Sequence, residues 1–379
     1  MRYSRSVARP TFEIALALFV FAGCAAAPAA VVAPGDAPSL FAPGVVSRRY
    51  NEMNAAFSPD GTELYFSMKD AGDRTSSILV SRRVGGHWQP PRVAPFSGRH
   101  GDVDPMFSPD GKRLYFSSYR PREPGAPPAG DADIWYVERR DGVLGEPVHV
   151  GAPVSTPRDD FYPSLTRDGT LYYSIWDGER RTGDIVRARL VNGAYRVENL
   201  GAPVNTASTE YDPFVAPDES YLIFASSRPG GRGDGDLYVS FRDGTGWSEP
   251  ANLGGAINTP AREFCPAVSP DGKYVYFTSK RAAGGPSRGE PAASTVDALT
   301  ASYDAIENGL GNVYWLRSDF LADLRGRPSM SRAAAPTGSS PTLKCPEGHF
   351  PARQIHPSRA ASLHDQGDPH PPAGCPRSR

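Results

Sequence analysis

Asp102-Val-Asp-Pro-Met-Phe-Ser-Pro-Asp-Gly111 joins an acidic residue, a short apolar run containing Pro, and a Ser-Pro-Asp-Gly reversal. The same pattern recurs in Glu52-Met-Asn-Ala-Ala-Phe-Ser-Pro-Asp-Gly61, Asp160-Phe-Tyr-Pro-Ser-Leu-Thr-Arg-Asp-Gly169, Glu210-Tyr-Asp-Pro-Phe-Val-Ala-Pro-Asp-Glu219 and Glu263-Phe-Cys-Pro-Ala-Val-Ser-Pro-Asp-Gly272. Pro in the reversal presets φ, Asp accepts backbone hydrogen bonds and Gly takes the left-handed conformation, so each copy turns one strand into the next. Arg167 replaces Pro in the third copy and Glu219 replaces Gly in the fourth, which predicts two less ideal hairpins.

After each turn comes an apolar strand closed by a small residue: Leu64 to Ser67, Leu114 to Ser117, Leu171 to Ser174, Leu222 to Ala225 and Val275 to Thr278. A Gly- and Asp-rich loop leads to a third strand, at Ile78 to Val80, Ile134 to Tyr136, Ile185 to Val186, Leu237 to Val239 and Val313 to Trp315. A fourth follows a Gly turn, as at Gly86 to Pro90 and Gly246 to Pro250. Self-similarity at about fifty residues with strand periodicity inside each unit indicates a repeat architecture closing on itself. The expected fold is therefore all-β: a β-propeller of four-stranded blades, five in number with six as the alternative. The last unit has no fourth strand, because Asp319 to Arg327 lacks the pattern, whereas Pro38 to Ser47 resembles the outer segment Pro147 to Ser155. The N-terminal strand is thus expected to complete the last blade and remove an open sheet edge.

These repeats resemble the WD40-like, TolB-type propeller repeats of bacterial envelope proteins, over about residues 38 to 325. The resemblance implies the fold, and with it a binding platform, a gating domain or, less often, a hydrolase. Arg2, Arg5 and Arg9 precede the apolar run Ile14 to Phe21, and Phe21-Ala-Gly-Cys24 is similar to a lipoprotein cleavage site. The expectation is export, with residues 1–23 a signal peptide, Cys24 lipidated, and Ala25 favouring the outer membrane, facing the periplasm or the cell surface. Residues 24–37 then form a linker, 38–325 the propeller and 326–379 a low-complexity tail rich in Pro, Ser, Ala, Arg and His. The tail cysteines Cys345 and Cys375 lack zinc-type spacing, although they could pair after export.

With 41 Lys and Arg against 42 Asp and Glu, the net charge is −1, which points to neither nucleic acid nor an anionic membrane as partner. Membrane contact is expected only through the lipid. Glu52, Asp102, Asp160, Glu210 and Glu263 occupy one equivalent position at the start of the innermost strands, with Arg120, Arg228 and Arg281, then Asp133, Asp184 and Asp236, in register beyond them. Repetition favours an architectural ion-pair network at this rim; the functional alternative is a carboxylate ring that binds a cation, basic peptide or sugar. Departures from the repeat are the sharper site candidates: Lys69 with Asp70, and Trp176 with Asp177, whose indole beside carboxylates suits carbohydrate or peptide stacking.

No cofactor is expected and no metal site is assigned. Asp131-Ala-Asp133 and Asp234-Gly-Asp236 offer the hard oxygens Ca²⁺ takes, without a full ligand set. Cys265, in an innermost strand, reads as a small buried apolar residue. Gly285-Pro-Ser-Arg-Gly289 matches a nucleophile-elbow pattern but has no strand and helix around it, and His87, His100 and His149 have no evident catalytic partners. The reading is a non-catalytic envelope propeller that binds a protein or glycan at the acidic rim. The alternative is a glycan-active propeller hydrolase using rim carboxylates.

Overall fold

The computed structural model describes residues 34–123, 125–244, 246–282 and 295–326. The signal segment with Cys24, the elbow-like pentapeptide, and the tail with Cys345 and Cys375 lie outside them. Five antiparallel sheets form five blades. Their innermost strands are Asn51–Phe57, Asp102–Phe107, Asp159–Leu165, Glu210–Val215 and Glu263–Val268. Each is followed by the predicted second strand, Glu63–Lys69, Arg113–Ser118, Leu171–Asp177, Tyr221–Ser226 and Tyr274–Ser279. Successive innermost strands are neighbours from blade to blade, and blade 5 abuts blade 1.

Ring closure follows the sequence expectation. Ser39–Leu40 is the outermost strand of blade 5, with Ser39 opposite Trp315 and Leu40 opposite Tyr314. Phe41 then donates its backbone N–H to the Val313 carbonyl (2.8 Å), and its ring meets Tyr276 and Trp315 edge-on at 5.1 Å. Phe41 and Val46 are buried, so this segment contributes core as well as edge.

Apolar residues fill the spaces between blades, and one such layer joins Tyr65 and Ile78 of blade 1 to Phe107, Leu114 and Phe116 of blade 2. Facing sheets lose water from both surfaces, which is why the second strands read as near-continuous apolar runs. All five reversals close alike: Gly61, Gly111, Gly169, Glu219 and Gly272 each donate a backbone N–H three residues back, at 2.8 to 3.1 Å. The fourth turn is therefore no looser than the rest. Glu219 holds φ +59°, and its carboxylate takes the Tyr172 hydroxyl and pairs with Arg187, Arg189 and Arg242.

The long connection before the last strand contains a helix the sequence reading did not anticipate, Val296–Asp304, capped by the Thr295 side chain. No helix among the described residues is long and apolar enough to cross a membrane.

Candidate functional site

All five innermost strands carry a β-bulge at one place, seen as register breaks between Met53 and Ala56, Val103 and Met106, Phe161 and Ser164, Tyr211 and Phe214, and Phe264 and Ala267. Four of the five have Pro at the bulge (Pro105, Pro163, Pro213, Pro266), where the ladder needs no N–H. The preceding residue is left-handed in every blade: Asn54 (φ +69°), Asp104 (+58°), Tyr162 (+57°), Asp212 (+51°) and Cys265 (+50°). Asn and Asp tolerate this region, whereas Tyr and Cys at such φ are uncommon and strained.

In three blades the closing small residue of the second strand anchors the next bulge. Asn54 N–H reaches Thr278 Oγ1 (3.2 Å), Asp104 N–H reaches Ser67 Oγ (3.0 Å) and Asp212 N–H reaches Ser174 Oγ (2.9 Å). Ala225 has no hydroxyl to offer, and there Cys265 donates its N–H to Asp212 Oδ2 at 3.1 Å. Tyr162 runs from blade 3 to the Pro266 carbonyl of blade 5 (2.8 Å). Those blades are not neighbours, so the phenol spans the axis.

On one side of this layer lies a cavity of about 460 Å³ lined by the turns, with Pro59, Pro109, Pro217 and Pro270 and the single departure Arg167. On the other side lies a cavity of about 350 Å³. That volume is at the low end of small-molecule sites, which span roughly 300–1,000 Å³. Three cations (Lys69, Arg262, Lys280), four carboxyl groups (Asp73, Asp104, Asp159, Asp212) and the aromatics Tyr119, Phe161, Trp176, Tyr211 and Phe264 line it. A third cavity, outside the ring mouth, holds Arg113, Arg140 and Glu138, which pair with one another.

The five repeated carboxylates do not line the axial pocket. Glu52, Asp102, Asp160, Glu210 and Glu263 are each 0 % exposed, because strand alternation turns them between the blades while their neighbours on either side face the axis. Asp102 accepts from Arg120 Nη2 (2.7 Å), Ser118 Oγ (2.6 Å) and Ser97 Oγ (2.8 Å). Glu210 takes Ser226 Oγ (2.7 Å), Thr206 N–H and Oγ1 (2.8 and 2.9 Å) and Arg228 (3.3 Å). Glu263 repeats this with Ser279, Thr259 and Arg281. The same arginines reach the carbonyls of Phe96, Val204 and Ile257, tying the inter-blade loops down.

Blade 1 has Lys69-Asp70 where the arginine would be, and Arg48 pairs with Glu52 instead (3.2 Å). Blade 3 has no arginine, and Asp160 is held by Thr156 alone. Burial pushes Glu52 and Asp160 up to about 7 despite these bonds.

Of the candidates at departures from the repeat, Lys69 and Trp176 line the pocket and Asp70 and Asp177 do not. Asp70 and Asp177 fold back onto their own loops, Asp70 to the N–H groups of Arg74 and Thr75 and Asp177 to those of Glu179 and Arg180. Trp176 is half-buried over Gly183, where an added Cβ would lie 3.1 Å from the indole and 3.2 Å from the Glu210 carbonyl.

Asp131 and Asp133 share Arg122, at 2.7 and 2.5 Å. Among the described residues no group of three or more His, Cys, Asp or Glu is placed to hold a metal. His149, against expectation, has partners: Ser155 Oγ (3.0 Å) and Asp133 Oδ2 (3.2 Å). Both meet the same ring nitrogen, Nε2, so the opposed contacts of a catalytic relay are absent.

Sequence reasoning missed Asp104, Asp159, Asp212, Arg262 and Lys280. Asp104 is 7 % exposed, and burial followed by the nearby Asp212 carboxylate pushes it up to about 7, against the pull of Lys69. Burial likewise raises Asp212 and Asp159. Cys265 is buried as expected, yet it belongs to the pocket floor with its thiol 3.4 Å from Asp212 Oδ2.

No protein-family model matches the chain, and no curated protein matches it significantly. Solved structures are distantly similar. An α-L-arabinofuranosidase from Lactobacillus brevis is 15% identical over 71% of this chain and 90% of its own, with a TM-score of 0.41. A prolyl endopeptidase is 15% identical over 60% and 30%, and a puromycin-hydrolyzing peptidase of Mycobacterium tuberculosis is 14% identical over 70% and 42%, each with a TM-score of 0.35. The chain thus spans less than half the length of these two peptidases. Similarity of this order carries nothing about activity; by its own sheets, the chain is a five-bladed β-propeller.

Proposed function

We propose that the protein is a non-catalytic binding propeller of the bacterial envelope that takes a protein or glycan partner into the axial pocket. The observation that carries this reading is where variation falls. Positions identical in kind across the blades are buried pins, whereas the pocket is built from those that differ: Asn51, Asp159 and Arg262 before the pinned carboxylate, Asp104, Asp212 and Cys265 at the bulge, and Lys69, Tyr119, Trp176 and Lys280 at the second-strand ends. A surface that is individual on a symmetric frame is what a specific ligand requires.

The TolB-type resemblance and the lipobox-like Cys24 support placement at the outer membrane. Loss of membrane retention in Cys24→Ser checks that placement.

Glycan and peptide arrays probed with the propeller and with Trp176→Ala test the site. A ligand lost in Trp176→Ala and retained in Asp177→Asn supports the reading. Ligands indifferent to Trp176, or turnover of a bound glycan, overturn it.

A further inference from the structure

Lys69 and Lys280 occupy the same position on adjacent blades, two residues beyond Ser67 and Thr278, the closing residues of the second strands of blades 1 and 5. Arg262 precedes the innermost strand of blade 5, so three cations gather in the sector where the ring closes. Arg262 is engaged: its Nε donates to Tyr211 Oη (3.0 Å), and its guanidinium lies over the Tyr211 and Phe264 rings at 4.7 and 5.1 Å. The lysines are not. Among the described residues neither has a carboxylate within ion-pair distance, and Asp73, the acid lining that sector, accepts from Asn51 Nδ2 (3.0 Å).

Both ammonium groups are half-buried beside a guanidinium, and burial lowers Lys280, with Arg262 and Lys69 adding to it against the pull of Asp73. The wall contributed by blades 2 and 3 is of different character. It carries Trp176, whose face suits the C–H side of a pyranose, and Tyr119 and Asp159, which suit ring hydroxyls.

We propose that the axial pocket recognises a uronic-acid residue of an acidic glycan, its carboxylate received by Lys69 and Lys280 and its ring held against Trp176. The inference rests on the binding reading above and names the ligand class for that site. A sugar carboxylate fits better than a peptide C-terminus because most of the remaining polar lining is side-chain carboxyl and hydroxyl, suited to a ring of hydroxyl groups.

The test is isothermal titration of oligouronates against the same oligosaccharides with their carboxyls reduced to alcohols, using the propeller, Lys69→Gln, Lys280→Gln and the double variant, with melting curves as a folding control. The propeller is expected to prefer the uronate by at least about tenfold. Each lysine variant should lose most of that preference while holding its affinity for the reduced sugar, and the preference should weaken with salt.

Equal affinity for the two sugars, a preference surviving in a folded double variant, or lysine-dependent binding of peptide C-termini in place of uronates would overturn the proposal. Neutral glycans bound in a Trp176-dependent way with no uronate preference would sink this inference alone. Binding indifferent to both Trp176 and the lysines would sink the pocket reading with it.

Discussion

Asp104→Asn should make the folded protein more stable at alkaline pH while damaging its site. In the fold the Asp104 carboxyl rises from 3.8 to about 7, first through burial and then through Asp212, so ionising it is harder than in the unfolded chain. Below the unfolded value both states are protonated and nothing is lost. As pH rises through the window from 3.8 to about 7 the folded state keeps a proton the unfolded state has released, and stability falls. Above that window the cost is complete, with a ceiling of about 4 kcal/mol at 1.36 kcal/mol per pH unit. Asp212 shares the strain and the amide keeps one acceptor, so the realised gain should be about 1–3 kcal/mol. Urea unfolding at pH 5 and pH 8 measures it. The variant should show about two-fifths of its margin at pH 5 and all of it at pH 8, the slopes from Glu52 and Asp160 cancelling in the difference. A variant destabilised equally at both pH values would show the carboxylate to be a structural partner, and the reasoning would fail.

The pinned carboxylates should behave in the opposite way. Glu210→Gln keeps the shape but weakens charge-assisted bonds from Thr206, Ser226 and Arg228, and should cost about 1–3 kcal/mol, with ligand affinity per folded molecule unchanged. A stable, binding-dead variant would return the pinned ring to the list of sites. Deleting residues 25–48 removes the closing strand, the buried Phe41 and Val46, worth about 1.5–3 kcal/mol each, and the arginine that pairs with Glu52. Aggregation or a large fall in melting temperature should follow, against near-neutrality for a deletion beyond Arg327, and equal melting of the two would disprove ring closure by this strand.

The fold was legible because its determinants are local and repeated: a turn that needs Pro, Asp and Gly, and strands whose apolar runs report burial on both faces. The missing fourth strand of blade 5, with the likeness of Pro38 to Ser47 to the outer segment Pro147 to Ser155, pointed to the N-terminus. The site was half legible. Lys69 and Trp176 stood out as departures from the repeat, but strict alternation cannot show that the bulge adds the third residue of each copy to the axial face. Asp104, Tyr162 and Asp212 sit there only because their backbones are left-handed, a state no side-chain pattern announces. The repeated acids were conspicuous for the reason that removes them from the pocket, since a requirement shared by every blade is a requirement of the frame.

The seam between blades 5 and 1 joins both themes. Ring closure brings Gly311 of the last blade against the first, its carbonyl taking the Glu52 N–H (2.9 Å) and its own N–H donating to Asn51 Oδ1 (2.9 Å). An added Cβ at Gly311 would fall 2.6 Å from that oxygen, so the approach requires glycine. Asn51 also holds Asp73, the acid whose charge acts on Lys280. Blade 1 gives up its second-strand arginine at this seam, Asp70 standing in its place, and draws Arg48 from the closing segment to pair with Glu52. The break in the repeat therefore moves the structural charge into the N-terminal segment, while Lys69 reaches the pocket from the position that Lys280 fills in blade 5 beside an intact Arg281.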